Sequence, residues 1–519
     1  MTIIVRSRDS LLTTSSGYTN YRGILNLVII LLVLSNARAA LENVIKYGIL
    51  VDPLSWLLFL GEGSKHWPAL LIVLSLSLNI LLSLAIEKVL AKLGTDFLTN
   101  KGPVSATRAT LTMAANATLF LNLAACLLLP PVIIYSNDTH PISTSGSLMI
   151  VSIVFLKLVS YHMMNFWCRD LQRPQDQQAR TTKSFLRSYV PPAIDFGTVL
   201  TGQGQCSGPE RSCSNGGISS KPVGENGELR KRAPGKTPEA GHSEGDKPND
   251  ASLASKGEHQ SQVREVALRT LSRYPHNLNL RDLRDFMVYP TLNYELEFAK
   301  TVRIRKRFLI KRIVELIILS QLDMALIQQW IVPTVSNSVL PFRQMQFSHM
   351  LERLLKLAIP NHVIWLIWFY LFFHSLLNII AELTRFADRE FYRDWWNSES
   401  VYYFWSNWNI PVHKWCARHL YVPSMALGLT KCQASTAVFF VSAFFHEYLV
   451  SVPLKMFRMW AFTGMLIQLP WARFVSSYFN NNFANVAVWV SLIIGQPLCI
   501  LMYYHDYYVI NHVKSLPSR

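Results

Sequence analysis

The stretch SAFFHEYLVSVPL, residues 442–454, sets His446 and Glu447 side by side in an otherwise apolar run. An ionisable side chain inside a membrane segment costs roughly 2.5–3.5 kcal/mol on insertion scales and usually marks function. On a helix, His446 shares its face with Ser442 four residues back and Ala443 three back. Glu447 lies about 100° further round. Small residues at 442 and 443 leave room for a substrate atom beside the imidazole. A neutral imidazole accepts a proton, and a positioned general base contributes roughly 10²–10⁴ in rate. The competing reading makes His446 a hydrogen-bonded polar residue packed between helices. His362, His374, His413 and His419 fit that second reading more readily. Glu447 can orient a neighbouring helix, pair with a cation or line a substrate. Lys157 and Asp323 also fall within apolar runs, where either can pair across helices.

A second constellation lies in FYRDWWNSES, residues 391–400. It opens a stretch, 384–433, that carries five Trp between 395 and 415. Trp and Tyr favour the membrane–water boundary, so one or two interfacial helices are expected there. An aromatic belt does not account for Asp394, Asn397, Asn407 and Asn409. Acyl transfer from an amphipathic donor to a lipid alcohol suits these groups. A His deprotonates the alcohol, an amide stabilises charge on the carbonyl oxygen, and a dry site limits hydrolysis. On the residues alone, a lipid transporter without catalysis stands level with an enzyme.

The elements that must position these groups are membrane helices. The chain has 519 residues, half of them hydrophobic and only 16% charged. Its apolar residues fall in runs near the ~20 needed to cross a ~30 Å hydrocarbon core. These are 66–90, 108–135, 147–167, 308–334, 357–383, 434–454, 457–478 and 484–505, with a weaker run from Gly23. The expectation is an all-α polytopic membrane protein of about nine spans.

The net charge of +17 is unevenly placed. Arg6, Arg8 and Arg22 precede the first run. Lys88, Lys92, Lys101 and Arg108 flank the next alternate loop, and Arg169, Arg173, Arg180, Lys183 and Arg187 follow the fourth run. The positive-inside rule then puts the N-terminal segment, 1–20, in the cytosol and the C-terminus on the other side. The basic excess reads as topology, without the folded basic stripe of a nucleic-acid reader. RIRKR, 303–307, reads as a positive flank or as a phosphate contact.

Spans one to four occupy 21–167. The loop 168–273 contains a Gly-, Ser-, Pro- and charge-rich insert, about 170–265, expected to be disordered. The remaining spans and the 384–433 loop fill 274–519. Asn137 in NDT is a candidate glycosylation acceptor on the non-cytosolic side, in a short loop. The seven Cys show neither metal spacing nor a disulfide framework.

FYRDWWN followed by the His of FFHEY resembles the membrane-bound O-acyltransferase family, in the branch of sterol and diacylglycerol acyltransferases. NWNIPVHKWCARHLYVP, YPTLNYELEF, SVPLKMFRMWAFTGM and IIGQP look like the diacylglycerol enzymes of that branch. The resemblance implies an endoplasmic-reticulum enzyme with an intramembrane chamber, moving a fatty acyl group from acyl-CoA to diacylglycerol. The nearest alternative is a sterol acceptor. It places the catalytic base at His446 and a second active-site residue at Asn397. Trp396, Glu447, Ser442, Met465, Gln468 and Gln496 are candidate substrate-lining residues. It implies neither metal nor cofactor, acyl-CoA being a substrate, and a homodimer or homotetramer.

Overall fold

The computed structural model describes residues 37, 40–52, 66–99, 106–172, 273–339, 341, 344, 346–479 and 481–513. The N-terminal segment, the run from Gly23 and nearly all of the 170–265 insert lie outside the described residues.

Helices α1 (Trp67–Thr99), α2 (Ala106–Ser136) and α3 (Pro141–Leu171) pack together as one group. Lipid offers backbone and side-chain polar atoms no water, so each must find a partner inside the protein. The amide of Asn122 therefore donates to the Asn79 carbonyl (3.1 Å) and the Ser83 hydroxyl (2.8 Å). Deeper along α1, Glu87 is fully buried between His162 and Arg169 of α3.

The short helix α4 (Leu280–Val288) starts on the Asn279 side chain, which accepts from the Asp282 amide at 2.8 Å. Its other end is tied to the membrane bundle by Lys157. This ammonium, 3% exposed, donates to the carbonyls of Phe286 (2.9 Å), Met287 (2.9 Å) and Tyr289 (2.7 Å). A cation at a helix C-terminus satisfies carbonyls that have no partner within the helix. Lys157 thus pairs with backbone rather than with another helix's carboxylate. Lys157→Met leaves three carbonyls without their donor, and the expected loss is about 2–3 kcal/mol. Thermal unfolding of the purified protein reads it out, and a melting temperature equal to wild type contradicts it.

α5 runs from Lys306 to Leu326, continues through a wide π turn at Ile327–Ile331 and ends over Val332–Ser336. The wide turn turns Gln328 and Gln329 outward onto the strap at 40–52. Gln329 accepts from the Leu50 amide (2.9 Å) and donates to Asn43 (2.7 Å) and the Gly48 carbonyl (2.9 Å). Gln328 accepts from the Asp52 amide at 3.2 Å.

α6 (Phe347–Phe369) also continues, through a π turn at Tyr370–Leu376, to Leu383. The stretch after it holds a tight turn, Trp395–Asn397, then α7 (Val401–Asn407) and α8 (Ile410–Cys416). α9 (Lys431–Ser451) opens on a capping box, with Thr430 and Gln433 bonding each other's backbone amides.

The run 457–478 departs from the single span expected. It is two helices, α10 (Trp460–Leu466) and α11 (Gln468–Tyr478), neither long enough to cross ~30 Å alone. Together they carry the chain back across the bundle. α10 starts beside the far end of α9, and α11 packs on α7 at the Trp-rich face. α12 (Asn481–Val513) then runs away from that face. Among the described residues six helices, α1, α2, α3, α6, α9 and α12, are long and apolar enough to span a membrane. α5 carries Arg312, Glu315 and Asp323 along its length and falls outside that group.

Asn137 lies in the four-residue link between α2 and α3. Its amide donates to the Ile133 carbonyl (2.8 Å), and its own carbonyl accepts from Lys455 (2.6 Å). A side chain so held, this close to the apolar core, is a poor acceptor for a bulky glycan. The expected result is no endoglycosidase mobility shift in the wild type; a shift abolished by Asn137→Gln overturns it.

Candidate active site

His446 lies on the fifth turn of α9. Its Nδ1 is 2.7 Å from the Ser442 carbonyl oxygen. A carbonyl only accepts, so Nδ1 carries the hydrogen and Nε2 keeps a free lone pair. The ring stands in crowded protein surroundings yet retains open surface. Ser442 contributes its carbonyl, which sets the tautomer. Ala443 is fully buried in the aromatic core, so protein fills the space its small side chain leaves.

Glu447 has a different job. At 2% exposure its carboxylate accepts from the Tyr503 hydroxyl (2.7 Å) and the amides of Met459 (2.8 Å) and Phe462 (3.1 Å), and from Ser451. Tyr503 in turn accepts from the Ala461 amide at 3.0 Å. Met459 adopts a left-handed backbone (φ 61°) and provides no side-chain cap of its own. Glu447 and Tyr503 therefore cap α10 from α9 and α12, with negative charge at the helix's positive end. Both carboxylate oxygens are engaged by protein, which gives Glu447 the helix-orienting role rather than a substrate-lining one. α10 held this way buries Met465 in the aromatic core that also holds Ala443, and Gln468 opens α11 one turn later.

The Trp395–Asn397 turn joins the same core through Trp395. Its indole meets Phe369 (5.0 Å), Trp365 (5.4 Å), Trp489 (5.8 Å) and Phe404 (5.9 Å). Asn485 of α12 clamps the turn, donating to the carbonyls of Ser398 (2.8 Å) and Trp396 (3.2 Å). Trp396 is 45% exposed and Asn397 is exposed. Next to them the Tyr403 hydroxyl, 2.7 Å from Asp394, holds that carboxyl below its usual range. Among the described residues, no hydrogen bond links Asn397 to His446; the aromatic core connects the two. Gln496 accepts from Asn361 of α6 at 3.4 Å.

Comparison with known proteins places the whole chain in a family. The model of the MBOAT, membrane-bound O-acyltransferase family matches residues 110–505. The chain belongs to this family. It is 44% identical to a Bos taurus protein named diacylglycerol O-acyltransferase 1, over 98% of this chain and 85% of that one. The Homo sapiens protein of the same name is 45% identical over 98% of this chain and 84% of its own. A Corylus americana relative, also so named, is 32% identical over 96% of this chain and 75% of its own.

In this membrane-bound O-acyltransferase the remaining histidines separate cleanly. His374 bonds the Tyr392 hydroxyl at 2.8 Å. His419 bonds Ser160 at 2.8 Å and stacks on Trp167. In α8, burial and then nearby Arg393 push His413 down to about 4, leaving it a weak base at neutral pH. His362 departs from the expectation of a satisfied polar residue: it is buried, and neither ring nitrogen has a partner among the described residues. In RIRKR, Arg305 pairs with Glu382 at the end of α6 (2.9 Å), while Arg303, Lys306 and Arg307 are exposed. The sequence missed Tyr503 and Asn485; MYYHDYY and NNFANVAV carry them without any pattern that announces a partner.

Proposed function

We propose that the chain is an acyl-CoA:diacylglycerol O-acyltransferase, making triacylglycerol in the endoplasmic-reticulum membrane. The observation that carries the reading is the His446 tautomer. Nδ1 is committed to the Ser442 carbonyl, so Nε2 is the atom that takes the proton from the diacylglycerol hydroxyl. The oxygen then attacks the thioester carbonyl carbon, the C–S bond breaks, and CoA leaves as a thiol once it regains a proton. Asn397, on the face where a CoA headgroup enters, helps position the thioester. Trp396, Met465, Gln468 and Gln496 line the path of the lipid chains. The names of the full-length relatives support diacylglycerol as acceptor.

The reading also places the N-terminus and the 384–433 loop in the cytosol. α12 leaves that face, which puts the C-terminus in the lumen. A homodimer or homotetramer is the expected assembly.

The test uses microsomes lacking other triacylglycerol synthesis. Labelled oleoyl-CoA is supplied with diacylglycerol or with cholesterol. Labelled triacylglycerol is the expected product. Sterol ester in its place keeps the chemistry and replaces the acceptor; no lipid product from either overturns the enzyme assignment.

A further inference from the structure

We propose that His362 positions the lipid acceptor, donating a ring N–H to an ester carbonyl oxygen of diacylglycerol. The inference rests on the function proposed above and adds a residue to it. His362 lies midway along α6 and is 9% exposed. Trp365 stacks against its ring at 5.5 Å and 28°, and Trp489 of α12 meets it edge-on at 5.5 Å and 79°. Both nitrogens are without a partner among the described residues, and so is the indole Nε1 of Trp395, whose ring touches both of those tryptophans.

Two unpaired polar donors thus share one aromatic cluster inside the membrane. A buried polar atom without a partner is destabilising; His374 and His419 each have one ring nitrogen bonded, whereas His362 has neither. Polar company is near. Asn361, its chain neighbour, bonds Gln496 of α12.

The ligand chemistry follows from the walls. Aromatic faces and a neutral imidazole reject the phosphates of CoA. They suit an apolar molecule bearing an acceptor-only oxygen. The two ester carbonyls of diacylglycerol are such oxygens, and they sit apart from the hydroxyl that reacts. Held there, the acceptor is oriented before His446 takes its proton.

The experiment compares His362→Phe and His362→Gln with wild type, as full-length protein in detergent. Phe keeps the ring contacts and removes both nitrogens; Gln keeps an N–H donor. Three results are expected. His362→Phe melts at or above the wild-type temperature without substrate, because it removes an unsatisfied polar group. Its KM for diacylglycerol rises roughly five- to tenfold, the size of one lost hydrogen bond, with KM for acyl-CoA unchanged. His362→Gln recovers part of the diacylglycerol KM. A His362→Phe protein that melts lower or fails to fold overturns the proposal, because the nitrogens are then held by a structural partner such as buried water. Equal KM shifts for both substrates, or none, also overturn it. A wild type that makes no triacylglycerol from diacylglycerol defeats the functional reading instead, so the two failures are told apart.

Discussion

His446→Ala is expected to lower triacylglycerol formation by about 10²–10⁴-fold, the contribution of a positioned general base. The folded protein survives the change. The side chain makes one hydrogen bond, to the carbonyl one turn back on its own helix, and keeps open surface. Substitutions at such places usually alter stability by no more than ~0.5 kcal/mol. His446→Gln is equally inactive, because an amide can reproduce the bond to Ser442 but offers no basic lone pair. The measurement is turnover per folded molecule, with folding followed by size-exclusion and melting in detergent. A variant keeping a tenth or more of wild-type turnover sinks His446 as the base.

Glu447→Ala, one residue on, is expected to fail for another reason. It removes the acceptor that serves Tyr503, Ser451 and the amides of Met459 and Phe462. Breaking a buried charged network by deleting one partner costs about 3–5 kcal/mol. Without its cap, α10 loses its fixed start, and Met465 loses its place in the aromatic core. The melting temperature falls and activity falls with the folded fraction. Glu447→Gln keeps an acceptor oxygen but turns an NH₂ toward donors, so its loss is smaller, about 1–3 kcal/mol. A Glu447→Ala protein that melts like wild type yet turns over poorly would instead make this carboxylate a substrate contact. Neighbours in sequence thus separate in experiment, one lost in rate and the other in stability.

The contrast shows how far the sequence reaches. Apolar runs announce α1, α2, α3, α6, α9 and α12, because burial in lipid leaves a compositional mark. The break at Ile467 leaves a fainter mark: the run 457–478 carries Arg458, Gln468 and Arg473, and Pro470 has no N–H for the Leu466 carbonyl and so starts a new helix rather than continuing α10. The π turn at 327–331 runs into Pro333, which cannot donate to the carbonyl four residues back, while the one at 370–376 has no such residue to announce it. Helical spacing correctly sets Ser442 beside His446. It also suggests free room over Ala443, which the aromatic core in fact occupies. Lys157 stands out as a charge inside an apolar run, but its partners are backbone carbonyls that no composition can reveal. For His362 the sequence suggests a satisfied core residue, since orphaned nitrogens appear only once neighbours are known.

The strap at 40–52 has a consequence for biosynthesis. Its partners Gln328 and Gln329 lie some 276–286 residues further along the chain. At roughly 5–20 residues per second of synthesis, the strap emerges about 15–55 s before they exist. Through that interval the Leu50 and Asp52 amides, the Gly48 carbonyl and the Asn43 side chain have no partners on α5. Nascent chains stalled before residue 328 therefore present these polar groups of the strap unpaired to the translocon and its chaperones, and chains released past α5 pair them. The ribosome's position on the message is thereby written into the accessibility of the chain's own beginning.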